Sequence, residues 1–219
     1  MGLSKIVLNA AEVVRPVLVK LLPAPLLSRI KAGIVQKTTD NLEQISIEPF
    51  DRSMYADGMN LIGSINSDTG LGQSMRLVAD IAEAGGIDYT VYNYFVPPGD
   101  SMTDITYRSK ITNTLPFNIN LIHINASEFT RAFMDIGKEA WDHRYNIGYW
   151  LWELEEFPEE WMGNFHLVDE IWTPSEFISR TLRKYTDKPV NTIPYAVKAP
   201  TDERYDRKHF GLPEESDDV

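Results

Sequence analysis

Two glycines, a histidine, paired tryptophans and a carboxylate stand in this chain where short apolar runs end, and each type there has a definite chemical use. The stretch Asn60–Glu83 reads NLIGSINSDTGLGQSMRLVADIAE. Leu61, Ile62 and Ile65 form an apolar run, Asp68, Thr69 and Gly70 break it, and Leu71, Met75, Val78 and Ala82 then recur at helical spacing. A strand feeding a helix through glycines leaves backbone N–H groups without partners at the helix start, and with the helix dipole these suit an anion such as a phosphate. Gly70 and Gly72 carry no Cβ to block its approach, and Gln73 and Ser74 add polar groups at the mouth. Gly70, Leu71, Gly72 and Gln73 are therefore candidate phosphate contacts. A turn can also require glycine for its shape alone, and the local pattern leaves both readings open.

The remaining candidates follow later runs. His123, inside the apolar run INLIHIN, serves either as a satisfied core side chain or as a ligand contact. The run WLWELEEFP places Trp150 and Trp152 two apart, followed by Glu153, Glu155 and Glu156. Trp152 could stack on a sugar ring while Glu153 accepts hydrogen bonds from hydroxyls, or both could be a strand end and a solvated helix start. Carboxylates at 153, 155 and 156 cannot all face one way on a strand, so at most two line a cleft. His143, His166 and His209 have no paired metal spacing, so no metal site is expected.

Elements that would position these groups alternate along the chain. After the first strand and helix, Gly85 and Gly86 end the helix and Tyr89–Phe95 form a second strand. Residues 99–116 are polar without clear periodicity and read as a mobile loop. Asn118–Asn125 is a third strand, followed by a helix opening at Ser127; Tyr145–Leu151, Glu170–Pro174 and Pro189–Pro194 are the fourth, fifth and sixth, with a helix from Ser175 before the last. Apolar runs separated by helical segments predict a parallel α/β sheet covered on both faces. Such sheets place ligands beyond the carboxyl ends of their strands, where Gly70–Ser74, His123 with Asn125, Trp150–Pro158 and Pro194–Tyr195 converge.

Composition narrows the function. The formal net charge is −11, yet residues 1–37 carry six basic groups against Glu12, a net of +5. This segment, cut into short pieces by Pro16, Pro23 and Pro25, reads as one or two amphipathic helices outside the main fold: an interdomain spacer or a helix packed on the domain's own core, or else a contact with an anionic membrane surface or a partner domain. Residues 38–58 read as a linker with a short strand at Ile45–Ile47, residues 59–198 as the domain, and residues 199–219 as an acidic linker. The acidic body argues against nucleic-acid binding. The absence of cysteine excludes thiolate metal sites and fits a reducing, cytoplasmic compartment, with peripheral membrane contact through residues 1–37. No GxSxG, GxxxxGK[ST] or HExxH pattern occurs, which removes serine-hydrolase, kinase and zincin readings. A nicotinamide site would need a third glycine where Met75 stands and an acidic residue after YTVYNYF, and neither is present.

Read together, LIGSINSDTGLGQSMRLVADIAEAGGI, INLIHIN, NIGYWLWELEEFP, VDEIWTPSEFISRTL and VNTIPYAV resemble the N-terminal half of retaining nucleotide-sugar glycosyltransferases of family 4, covering about residues 59–198. The resemblance implies a Rossmann-like parallel sheet facing a second, C-terminal domain in the GT-B arrangement. It implies that Gly70, Leu71, Gly72 and Gln73 approach the donor diphosphate and sugar, that His123, Trp152 and Glu153 face the acceptor or sugar, and that no metal or cofactor is used. The partners would be a sugar nucleotide, a glycan or lipid-linked acceptor, and the chain's own C-terminal domain. Many relatives carry a histidine near the transferred sugar where this chain has Trp150–Glu153, so that role transfers to no residue. A non-catalytic carbohydrate-binding or assembly module is the alternative, and a nucleotide-dependent oxidoreductase a remote third.

Overall fold

The computed structural model describes residues 45–95, 101–197, 205 and 207–213, so the segment at 1–37, the Pro97–Gly99 loop and most of 199–219 lie outside the described residues. Six strands form one sheet: β1 (Ala56–Gly63), β2 (Tyr89–Asn93), β3 (Phe117–Ile122), β4 (Tyr145–Tyr149), β5 (Glu170–Thr173) and β6 (Val190–Thr192). Their order is β2-β1-β3-β4-β5-β6 and every pairing is parallel. Among the described residues the α-helices are α1 (Gly70–Ala84), α2 (Ala126–Ile136) and α3 (Glu176–Leu182), with a 3₁₀ segment over Glu159–Leu167 between β4 and β5. The chain folds as a Rossmann-like α/β sheet.

Two cores lie on its two sides. One joins Ile122, Ile171 and Val190 to Phe129 and Phe133 of α2 and Ile178 and Leu182 of α3, around the buried Trp141 and Trp150. The other joins Leu61, Val91, Leu121, Ile147 and Tyr149 to Met75, Ala79 and Ala82 of α1. The division follows from connectivity: β1 to β2 steps one way along the sheet, β3 to β6 steps the other way, and the fixed hand of parallel crossovers sends the two sets of connections to opposite faces.

A ladder of asparagines sets the register of the central strands. Asn60, Asn120 and Asn146 pair directly across β1, β3 and β4. Asn60 Nδ2 donates to Asn120 Oδ1 at 2.9 Å, and Asn120 Nδ2 donates to Asn146 Oδ1 at 2.8 Å. Asn146 Nδ2 closes the ladder on the Trp141 and Arg144 carbonyls. All three side chains are buried, and each finds the partners that burial requires.

Several element boundaries differ from the sequence reading. Ile45–Ile47 forms no strand; both isoleucines pack against the α2-side core. β1 begins at Ala56, inside the stretch read as a linker, and ends at Gly63, so Ile65 packs from the following turn. α2 starts at Ala126, with Asn125 as its cap. The described part of the 99–116 loop is anchored: Tyr107 is buried and donates to Asp80 Oδ1 at 2.5 Å, and Ile111 bridges Val91 at the outer edge of β2.

Candidate ligand-binding edge

Parallel strands end on one side, so the segments after β1, β3, β4 and β6 share the carboxyl edge of the sheet. The glycine turn comes first. Thr69 caps α1, its Oγ1 accepting from the Gly72 amide at 3.5 Å and lying 2.7 Å from Ser67 Oγ. No atom lies within 4 Å of a Cβ built on Gly70, so its backbone faces open space. Gly72 differs: a Cβ there would stand 2.1 Å from the Ser67 carbonyl oxygen. The second glycine is demanded by packing of the helix start onto its own turn, and the first is the one a ligand can approach.

Arg76 braces this turn from beneath. Its Nη1 donates to the Ile65 and Ser67 carbonyls at 2.7 and 2.9 Å, and its Nη2 donates to Gln73 Oε1 at 3.1 Å. Gln73 is thus exposed but has its side-chain oxygen held by the guanidinium. Arg76 also pairs with Asp104 at 3.3 Å. Asp68 stands beside the turn, and hydrogen bonds from Ser101 and Thr103 hold its carboxyl below the ordinary range, so it carries full negative charge at pH 7.

His123 follows β3 and is 3% exposed. Its Nε2 lies 2.8 Å from the Tyr195 hydroxyl, while its Nδ1 has no hydrogen-bond partner among the described residues. Burial holds the imidazole down to about 4, so the ring is neutral at pH 7. Tyr149 packs against both rings, at 5.0 Å from His123 and 5.1 Å from Tyr195, and donates to the Ile193 carbonyl at 2.6 Å. Burial pushes the Tyr195 phenol up to about 12, with hydrogen bonding from Ser74 and Tyr149 acting the other way. Tyr195, just after β6, thus meets His123, just after β3, and Ser74 on α1.

The aromatic run after β4 divides. Trp150 is wholly buried and stacks with Phe157 at 6.0 Å. Trp152 is half-buried, edge-on to Trp161 at 4.7 Å, and its indole N–H donates to the Glu156 carbonyl at 2.6 Å. Much of the tryptophan surface suited to stacking on a sugar is spent on the protein's own aromatic cluster. Glu153 is exposed. The Leu151 amide donates to Asn125 Oδ1 at 3.2 Å, tying the ends of β3 and β4 together.

The sequence reading placed Gly70, His123 and Tyr195 at one edge but missed the His123–Tyr195 bond, the Arg76 brace and Tyr149. Contacts spanning 72 residues leave no local pattern. The asparagine ladder did leave one, since NLI, NLI and NIG recur in three strands. Among the described residues no group of three His, Asp or Glu side chains is placed to hold a metal ion, and no helix is long and apolar enough to cross a membrane. No family model, curated protein or solved structure matches the chain.

Proposed function

We propose that this chain is the acceptor-side domain of a retaining glycosyltransferase that uses a sugar nucleotide and works with a second, donor-binding domain. The observation that carries the reading is the convergence at one sheet edge of a glycine turn open at Gly70, the neutral His123–Tyr195 pair and the exposed Glu153. In this reading the amides of Gly70 and Leu71 meet the diphosphate, and Glu153 and the phenol of Tyr195 hydrogen-bond sugar hydroxyls. His123, with a pKa of about 4, positions Tyr195 and does not serve as an acid at neutral pH. Rate would come from orientation of the two substrates and from dipoles aimed at the leaving diphosphate.

A helix terminus contributes about 0.3–1 kcal/mol toward an anion, against several kcal/mol for loss of ligand freedom. The chain alone should therefore hold UDP-glucose or GDP-mannose weakly, on the order of millimolar. Saturation-transfer NMR at millimolar ligand tests this, with Gly70→Val as the comparison. Loss of the sugar-nucleotide signal in the variant, with its melting temperature retained, supports the reading; an undiminished signal, or none in the wild type, overturns it.

One observation favours a second reading. Asp68 and Asp104 place negative charge beside the turn, which opposes a diphosphate and leaves a carbohydrate-binding module without turnover. Oligosaccharide signals unaffected by Gly70→Val would select it.

A further inference from the structure

After β6 the chain turns back across the sheet toward α1 and encloses a hollow. Tyr149 donates to the Ile193 carbonyl at 2.6 Å, and the Tyr195 hydroxyl lies 2.8 Å from His123 Nε2, which pins this segment over β4 and the end of β3. Val78, Ile81 and Ala82 of α1 form the facing wall, with Leu121 and Trp172 as floor, around a cavity of about 80 Å³. Each aromatic side chain in its lining spends its polar end elsewhere: Tyr149 on Ile193, Tyr195 on His123, and Trp172, whose indole N–H donates to Glu170 at 2.6 Å, on that carboxylate. Carbon is what faces inward, so a water there would find too few partners and the hollow stays dry. An alkyl group recovers the dispersion contacts that a gap forfeits. The mouth is apolar as well, with Ile81, Ile87 and Ile193 between 36% and 42% exposed.

Size, charge and continuity select the occupant. The volume of 80 Å³ is well below the ~150 Å³ that accommodates benzene, so an aromatic ring is excluded and a slender chain of about four carbons fits. Among the described residues none that lines the cavity is charged, and Glu170 at the edge of the Trp172 indole is a carboxylate. A fatty-acid or phospholipid head would therefore meet an anion and no cation, whereas a neutral head meets no penalty. Tyr195 belongs both to the cavity wall and to the candidate edge, where its hydroxyl stands beside His123. We propose that the cavity takes the alkyl group of an uncharged glycoside, an acceptor whose sugar lies against Tyr195 at the sheet edge and whose first aglycone carbons run between Val78 and Ile193. The inference rests on the reading of that edge as an acceptor site and narrows the acceptor to one with a neutral aliphatic aglycone.

The full chain, labelled with carbon-13 at its isoleucine methyls, is titrated with the methyl and hexyl glycosides of glucose, galactose and mannose, and with 1-hexanol and hexanoate. For at least one sugar the hexyl glycoside should bind at least about tenfold tighter than its methyl counterpart, since several methylenes leave water. It should also bind tighter than either sugar-free probe and shift the methyl signals of Ile81 and Ile193. Val78→Phe and Ile193→Trp fill the cavity from opposite walls, and each should abolish the preference for hexyl over methyl while retaining the wild-type melting temperature. Equal affinity for hexyl and methyl glycosides of all three sugars overturns the proposal. So does 1-hexanol or hexanoate binding as tightly as the best hexyl glycoside, which would make the hollow an alkyl site unconnected with a sugar. A preference that survives in both folded variants also overturns it, because the alkyl group would then lie elsewhere. The sugar-nucleotide signal that tests the enzymatic reading depends on Gly70 and not on Val78 or Ile193, so the two readings fail separately.

Discussion

His123 couples this edge to pH. Its ordinary pKa of 6.5 is lowered to about 4 by burial, so the unfolded chain takes up a proton that the folded chain refuses between those values. The contribution is therefore fully present above pH 6.5 and lost as pH falls toward 4, by about 3 kcal/mol at 1.36 kcal/mol per unit. Urea denaturation at pH 7 and pH 4.5 should show the loss, and His123→Gln should flatten that dependence relative to wild type. At the turn, the two glycines separate structure from binding. Gly72→Ala should cost about 2 kcal/mol or more, since the methyl meets a backbone oxygen with nowhere to move. Gly70→Val should change stability by less than about 1 kcal/mol because its Cβ enters open space. Thermal denaturation of the two variants distinguishes them.

Among the elements, β1, β3 and β4 are locked by polar groups that only those strands can satisfy. Asn120→Leu leaves Asn60 Nδ2 without its side-chain acceptor and Asn146 Oδ1 without its donor, both in the dry centre of the sheet. A cost of about 2–4 kcal/mol is expected in urea unfolding. Arg144 performs the same service at the amino edge: its guanidinium donates to the carbonyls of Leu115, Phe117, Glu139 and Ala140 and lies 3.6 Å over the Tyr55 ring. Arg144→Met should destabilise by about 3 kcal/mol, since four carbonyls lose a common donor. Arg144→Lys should recover little of it, because a compact ammonium cannot span that fork.

For the whole molecule, charge is the governing quantity. A net charge of −11 on 219 residues makes the folded chain repel itself, and salt screens that repulsion. Raising ionic strength from about 0.01 M to 0.15 M shortens the Debye length from about 30 Å to 8 Å, so the melting temperature should rise by a few degrees. Scanning fluorimetry across a sodium chloride series measures it. A falling melting temperature would show that attraction between the +5 and −16 portions outweighs repulsion within the body.

What the sequence determined by itself was local and periodic. Apolar runs bounded by glycine, helices at 3.6-residue spacing and their alternation specify a parallel sheet, and a parallel sheet brings the turn at Gly70, His123 and Glu153 to one edge whatever the details of packing. The tertiary structure alone decided what each group does on arrival. Gly72 must be glycine because the Ser67 carbonyl folds back onto it, and Trp152 is occupied because Trp161 and Phe157 close around it. His123 is neutral because Tyr149 and Tyr195, from strands distant in sequence, exclude water from it. Periodicity survives in a string of residues because it repeats over a few positions, whereas burial and partnership depend on which surfaces meet. That is settled only when the strands assemble.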